Sequence, residues 1–176
     1  THLRDQIRRV QQEVGITTLF VTHDQEEAMA ISDRVGVMNK GNLEQLDKPD
    51  VLYSNPASAF VATFVGAMNR VPGKLLDAGS VEVLGKKINV ANTGHGLSAG
   101  STVSVMIRPE QFAISAGDSV TITERSFRGP MTRIVVALSD GTKVDLDIAS
   151  AETTSMNPGT KTGLSVSAAS AIIEAR

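Results

Sequence analysis

The rhythm of hydrophobic and polar positions changes once along this chain, near Gly66. Ahead of that point the periods are mixed. In THLRDQIRRVQQEVG, Leu3, Ile7, Val10 and Val14 fall on one helical stripe, which predicts an amphipathic helix over 2–14 stopped by Gly15. TTLFV is a continuous β-branched and apolar run and predicts a buried strand over 17–22. A second helix is predicted over 25–33. The segments Arg34-Val35-Gly36-Val37-Met38 and Leu43-Glu44-Gln45-Leu46, joined by Asn39-Lys40-Gly41-Asn42, predict a hairpin. Pro49 suits the first turn of a short helix in KPDVLYS, and Asn55-Pro56 ends it. ASAFVATFVG predicts another short helix, with Phe60, Val61, Phe64 and Val65 available for packing. This order of helix, strand, helix, strand is the grammar of an α/β fragment.

After Gly66 short alternating segments are separated by Gly, Asn and Ser. Examples are SVEVLG, KKINVAN and TVSVMIRPE. Strands at such short intervals predict an all-β barrel or sandwich, and two similar half-barrels are compatible with the pattern. TGHGLSAG, residues 93–100, reads as a loop between two β-rich pieces. In MTRIVVALSDGTKVDLDIA the register itself can be inferred. A two-residue Asp140-Gly141 turn would put the two apolar sets on opposite faces. A three-residue loop, Ser139-Asp140-Gly141, pairs Val136 with Val144 and Ile134 with Leu146 and gathers the apolar residues on one face. The prediction is a type I turn with Gly141 left-handed in a G1 bulge. Gly129-Pro130 reads as a tight turn, and Pro109 as a strand terminator. The predicted domains are therefore 1–66 and 67–176.

Composition removes several classes of function. The chain has 176 residues, 41% hydrophobic, only 3% aromatic, with no Trp and no Cys. Disulfides and thiolate metal sites are excluded, and the absence of Cys is compatible with a reducing compartment. A net charge of −2 gives no basic field for nucleic acid. The second half offers only Phe112 and Phe127 for base stacking, so a nucleic-acid partner is not expected. Lys86, Lys87, Arg125, Arg128 and Arg133 read as solvated surface. No apolar run approaches the ~20 residues that cross a bilayer. The chain opens inside a helix and without Met, which leads to the expectation that an upstream part of a larger protein is missing.

The chemistry-bearing stretch is Thr22-His23-Asp24-Gln25-Glu26-Glu27. Asp24 is a good helix N-cap, and Glu27 three residues on would complete a capping box. His23 then lies between the predicted strand and helix, the place where open α/β sheets bind ligands. From the residues alone two readings stand. His23 either donates to a phosphate oxygen or satisfies an ordinary loop carbonyl. Glu26 and Glu27 already answer the helix dipole, so the ring more than the helix end would make any phosphate contact. A metal role lacks a second ligand at suitable spacing, and His2 and His95 do not help.

TTLFVTHDQEEAMAISDRVGVMNKGNLEQ resembles the switch-histidine segment, or H-loop, of ATP-binding cassette (ABC) transporter ATPases. KPDVLYSNPASAFVATFVGAMN is similar to the connector of importer ATPases with an extra C-terminal domain. RPEQFAIS and LSDGTKV resemble that domain, called TOBE, an OB-like β-barrel. The resemblance implies an α/β fragment, the end of a P-loop ATPase domain with connector helices over 1–66, followed by an all-β OB-like TOBE-type regulatory domain over 67–176. It implies that His23 is catalytic and nucleotide-binding, contacting the γ-phosphate of ATP between two ATPase subunits. It gives Ser32-Asp33-Arg34 a structural duty, tying helix to hairpin. It further implies Mg2+ with the ATP, a homodimeric ATPase bound to transmembrane permease subunits, and a cytoplasmic place on the inner face of the membrane.

No Gly-x-x-x-x-Gly-Lys-Ser/Thr phosphate loop, LSGGQ-like signature or Asp-Glu strand occurs in these residues. The expectation is that the full-length protein is an ATPase, whereas the fragment is inactive and binds neither ATP nor metal. Stripped of neighbouring strands, the α/β part would expose apolar faces and become disordered, rearrange or bury them against another copy. The alternatives are a stand-alone small-ligand or oxyanion-binding β-barrel module, and a His/Asp hydrolase that lacks a fitting nucleophile. For the barrel itself, a dimer-contact scaffold and a regulatory ligand site both stand.

Overall fold

A computed structural model describes residues 2–92 and 96–176, and side chains from Arg4 onward. His95 and the first part of the predicted 93–100 loop lie outside the described residues. The chain divides into two compact units, Thr1–Gly66 and Ala67–Arg176.

The first unit contains helices α1 (His2–Val14) and α2 (Gln25–Ile31), the hairpin β1 (Val35–Asn39) and β2 (Asn42–Asp47), and short helices α3 (Pro49–Ser54) and α4 (Ala59–Phe64). Gly15 ends α1 with φ +69°. Lys40 (φ +48°) and Gly41 (φ +86°) form the two-residue hairpin turn, with left-handed conformations that suit the twist of the strands. Val37, Leu52, Val61 and Val65 are buried together, with Met29 and Val35 packed on them.

The strand predicted over 17–22 does not form. The segment is extended chain without a ladder, and β1 and β2 pair only with each other among the described residues. An apolar run becomes a strand only where a neighbour takes its backbone groups. Leu19 and Val21 are 91% and 86% exposed. The α/β arrangement is accordingly absent from this unit, which consists of four helices and one hairpin.

Among the described residues the second unit is all β apart from two single 3-10 turns. Its strands are β3 (Asn69–Asp77), β4 (Ser80–Val83), β5 (Lys86–Val90), β6 (Thr102–Ile107), β7 (Phe112–Phe127), β8 (Met131–Ala137), β9 (Lys143–Ala149), β10 (Lys161–Val166) and β11 (Ser170–Ala175). Five of them close a barrel in the order β11-β5-β4-β3-β6. Closure comes from β11, parallel to β5 and antiparallel to β6. The other four form an antiparallel sheet, β10-β7-β8-β9. This is one closed barrel joined to an open sheet, not two similar half-barrels.

Alternation places Val71, Val81, Val105 and Ile173 from the barrel in one continuous core with Ile134, Val136, Val144 and Leu146 from the sheet. Branched aliphatics fill a small barrel without aromatic rings. At Gly73 the strands crowd so closely that an added Cβ would lie 2.5 Å from Val105 Cγ2 and 2.8 Å from Glu82 O. Pro72 is tolerated one residue earlier because β3 pairs there with β6 alone.

The β8–β9 hairpin has the inferred register, with Val136 opposite Val144 and Ile134 opposite Leu146. Leu138 N–H donates to Thr142 O at 2.9 Å and Gly141 N–H to Leu138 O at 3.0 Å, with Gly141 at φ +83°. Those are the bonds of a type I turn with a G1 bulge. Arg128 and Met131 close the Gly129-Pro130 turn, and Pro109 opens a 3-10 turn after β6.

Two asparagines act as single-residue strands. Asn69 Nδ2–H donates to Asp145 O and Asp145 N–H donates to Asn69 Oδ1, both at 2.8 Å. Asn92 makes the same pair with Ile173, again at 2.8 Å for both bonds. The first clamps the start of β3 to the outer edge of β9, and the second holds the chain after β5 on β11.

Candidate functional site

Asp24 is the N-cap of α2, its Oδ1 accepting the Glu27 N–H at 2.9 Å. The returning half of the expected capping box is absent. Asp24 N–H donates instead to Thr22 Oγ1 at 3.0 Å, and the Thr22 hydroxyl donates to Glu27 Oε2 at 2.9 Å. The threonine is thus inserted between the two ends of the box. Arg4 of α1 completes the arrangement, with Nη2 3.0 Å from Asp24 Oδ2 and Nε 3.7 Å from Glu27 Oε1. His23, at the apex, is exposed and makes no hydrogen bond among the described residues.

One turn further along α1, Arg8 donates to the carbonyl of Ile31 at 2.7 Å and pairs with Asp33. Its hydrogen bond and charge hold the Asp33 carboxyl below the usual carboxylate range. Arg4 and Arg8 therefore grip both ends of α2. Of the Ser32-Asp33-Arg34 trio, only Arg34 reaches the hairpin, donating to Leu46 O at 3.3 Å, while Asp33 belongs to α1.

Beside the histidine turn lies a groove of about 1140 Å³, lined by Ile7, Ile16, Phe20, Met29, Val37 and Leu46 among others. Its apolar lining includes the unpaired 16–21 segment. Among the described residues no group of three or more His, Asp or Glu is placed to hold a metal ion. His23 lines this groove with its ring unbonded among the described residues.

In the second unit Lys86 and Arg133, read as solvated surface, have structural partners. Lys86 Nζ donates to Val166 O at 2.9 Å and to Ala168 O at 3.3 Å. Arg133 grips Asp147 through two nitrogens, at 2.8 and 2.6 Å, and Asp145 through a third at 3.2 Å. Buried Arg108 donates to the carbonyl of Ala67 at 3.2 Å, fixing the chain as it enters β3. The signal for these roles is tertiary, and spacing alone does not reveal it.

Residues 105–173 match the TOBE domain family. The chain is a relative of the ATP-binding subunits of importers and corresponds to their C-terminal part. It is 41% identical over 148 residues, 83% of its length, to a sulfate/thiosulfate import ATP-binding protein, CysA, of Xanthomonas campestris pv. campestris, and covers 42% of that protein. To a spermidine/putrescine import ATP-binding protein, PotA, of Marinobacter nauticus it is 39% identical over 149 residues, covering 79% of this chain and 40% of that one. A Fe(3+) ions import ATP-binding protein, FbpC, of Fusobacterium nucleatum subsp. nucleatum is 38% identical over 149 residues, with 82% and 40% covered. The chain thus spans about two fifths of the length of these relatives. Among solved structures, the cytoplasmic molybdate-binding protein ModG with molybdate bound matches with a TM-score of 0.49 and 16% identity, over 61% of this chain and 96% of that one. Among the described residues no helix is long and apolar enough to cross a membrane.

Proposed function

We propose that this chain is the C-terminal part of the ATP-hydrolysing subunit of a bacterial ABC importer. Residues 1–66 are the end of its nucleotide-binding domain with connector helices, and 67–176 its TOBE-type regulatory domain. One observation carries this reading. Relatives named for sulfate, for polyamines and for ferric ions share close to the same identity with this one stretch. A segment common to such different solutes serves the step they have in common, ATP hydrolysis, and not solute choice.

Within that step His23 is the residue of this chain that meets ATP. Its imidazole is free and exposed, and a donor held against the transferring γ-phosphoryl group stabilises the charge that develops there. Mg2+ bound with the ATP of the intact enzyme would neutralise phosphate charge. The partners of this reading are a second ATPase subunit, forming a homodimer, and the permease subunits, with the protein lying on the cytoplasmic face of the membrane.

The test is ATP turnover by the intact subunit assembled with its permease. His23→Ala is expected to lower kcat by roughly 100-fold or more, the scale of removing one preorganised charge-stabilising donor. Turnover at the wild-type rate would refute the reading. This 176-residue chain alone is expected to show no rise in melting temperature with millimolar Mg-ATP. A clear rise abolished by His23→Ala would contradict the claim that the site is incomplete here.

A further inference from the structure

We infer that Arg4, Thr22, Asp24 and Glu27 are positioning residues that together set the place of the His23 imidazole. This rests on the reading that His23 contacts the terminal phosphate. His23 has no hydrogen bond of its own to hold it, since its ring is exposed and bonds to nothing among the described residues. Its two chain neighbours, by contrast, are both locked. Thr22 Oγ1 accepts from Asp24 N–H at 3.0 Å, across the histidine, and spends its one proton on Glu27 Oε2 at 2.9 Å. Asp24 Oδ1 is committed to Glu27 N–H at 2.9 Å and Oδ2 to Arg4 at 3.0 Å.

The ring is complementary at every link. Two carboxylates accept only, Arg4 donates only, and the hydroxyl does one of each. Asp24 and Glu27 would repel one another without a cation. Arg4 Nη2 and Nε face one carboxylate each, at 3.0 and 3.7 Å. Helix capping needs only the Asp24-to-Glu27 bond. The Thr22 links and the Arg4 pair go beyond it, and what they immobilise is the turn that carries His23. The backbone that carries the imidazole is thereby fixed while both ring nitrogens stay unspent, which is the preorganisation a phosphate donor needs.

Thr22→Val keeps the side chain's shape, the N-cap and the Arg4 pair while cutting both bonds across the histidine. In the intact subunit it is expected to lower kcat for ATP hydrolysis by about 10- to 100-fold, the cost of displacing a reacting group by a fraction of an ångström to one ångström. KM for Mg-ATP should move less than about threefold, because the loss falls in the transition state. Thr22→Ser should restore most of kcat. Arg4→Met, on the far side of the ring, should lower kcat in the same direction and serves if Thr22→Val folds poorly. Two results would overturn the inference while leaving the role of His23 standing. One is kcat within about twofold of wild type for both Thr22→Val and Arg4→Met while His23→Ala is inactive. The other is a loss confined to KM. Full activity in His23→Ala would instead remove the reading beneath it.

Discussion

Replacing Asn69 by Ala should weaken the second unit far more than a polar-to-alanine change at a strand end ordinarily does. The Asn69 side chain is 7% exposed and makes two 2.8 Å bonds with the backbone of Asp145. Asp145 lies in β9, an edge strand, so no neighbouring strand stands ready to take over its N–H and C=O. Two bonds at about 1 kcal/mol each, plus a desolvation penalty for groups that water reaches only in part, give a loss of about 2–4 kcal/mol. For a unit of this size that corresponds to a fall in Tm of roughly 10–20 °C. Asn92→Ala removes an equivalent pair of bonds to Ile173 from a half-buried side chain. Water replaces those bonds more readily, so its loss should be smaller, about 1–2 kcal/mol. The assay is urea unfolding of the whole chain followed by the β signal in far-ultraviolet circular dichroism, because the chain has no Trp and a single Tyr. A loss below about 0.5 kcal/mol for Asn69→Ala, within the range of an ordinary surface change, would refute the reasoning. So would a larger loss at Asn92.

Two further outcomes follow from backbone geometry and charge. Gly163→Ala places a Cβ 2.5 Å from both Ala116 O and Ser115 Oγ, whereas Gly141→Ala meets open space at φ +83°. The first should cost about 2–3 kcal/mol from overpacking and the second about 1–2 kcal/mol from left-handed strain; equal losses in urea would count against the β7–β10 geometry. The Asp77 carboxyl is held below its ordinary range, first by the Ser80 hydroxyl at 2.6 Å and then by the Gly79 N–H at 2.8 Å. A carboxyl depressed in the folded state contributes fully above the ordinary Asp value near 3.9 and loses that contribution as pH falls through its lower folded value. Ser80→Ala should therefore move the Asp77 titration, followed by carboxyl-carbon NMR, back toward the ordinary value. An unmoved titration would show that the hydroxyl is not the cause.

The local rules were legible wherever a few neighbouring residues decide the outcome. α1 and its Gly15 stop, the Asp24 cap, the helix opened by Pro49 and the Ser139-Asp140-Gly141 loop all follow from period, cap and turn chemistry. The register of β8 on β9 was readable because only one loop length puts both apolar sets on one face. The position of His23 just ahead of α2 was readable too, since Asp24 opens that helix.

Other features required contacts that no local pattern encodes. TTLFV has the composition of a strand, yet residues 17–22 join no ladder, because a strand exists only by pairing. The closure of the barrel by β11, the clamps of Asn69 and Asn92, and the grip of Arg133 on Asp145 and Asp147 were invisible for the same reason. So was the link from Arg4 to Asp24, which joins residues twenty positions apart. Hydrophobic period reports which face of an element is buried, whereas tertiary structure decides what that face meets and which distant polar group completes each hydrogen bond.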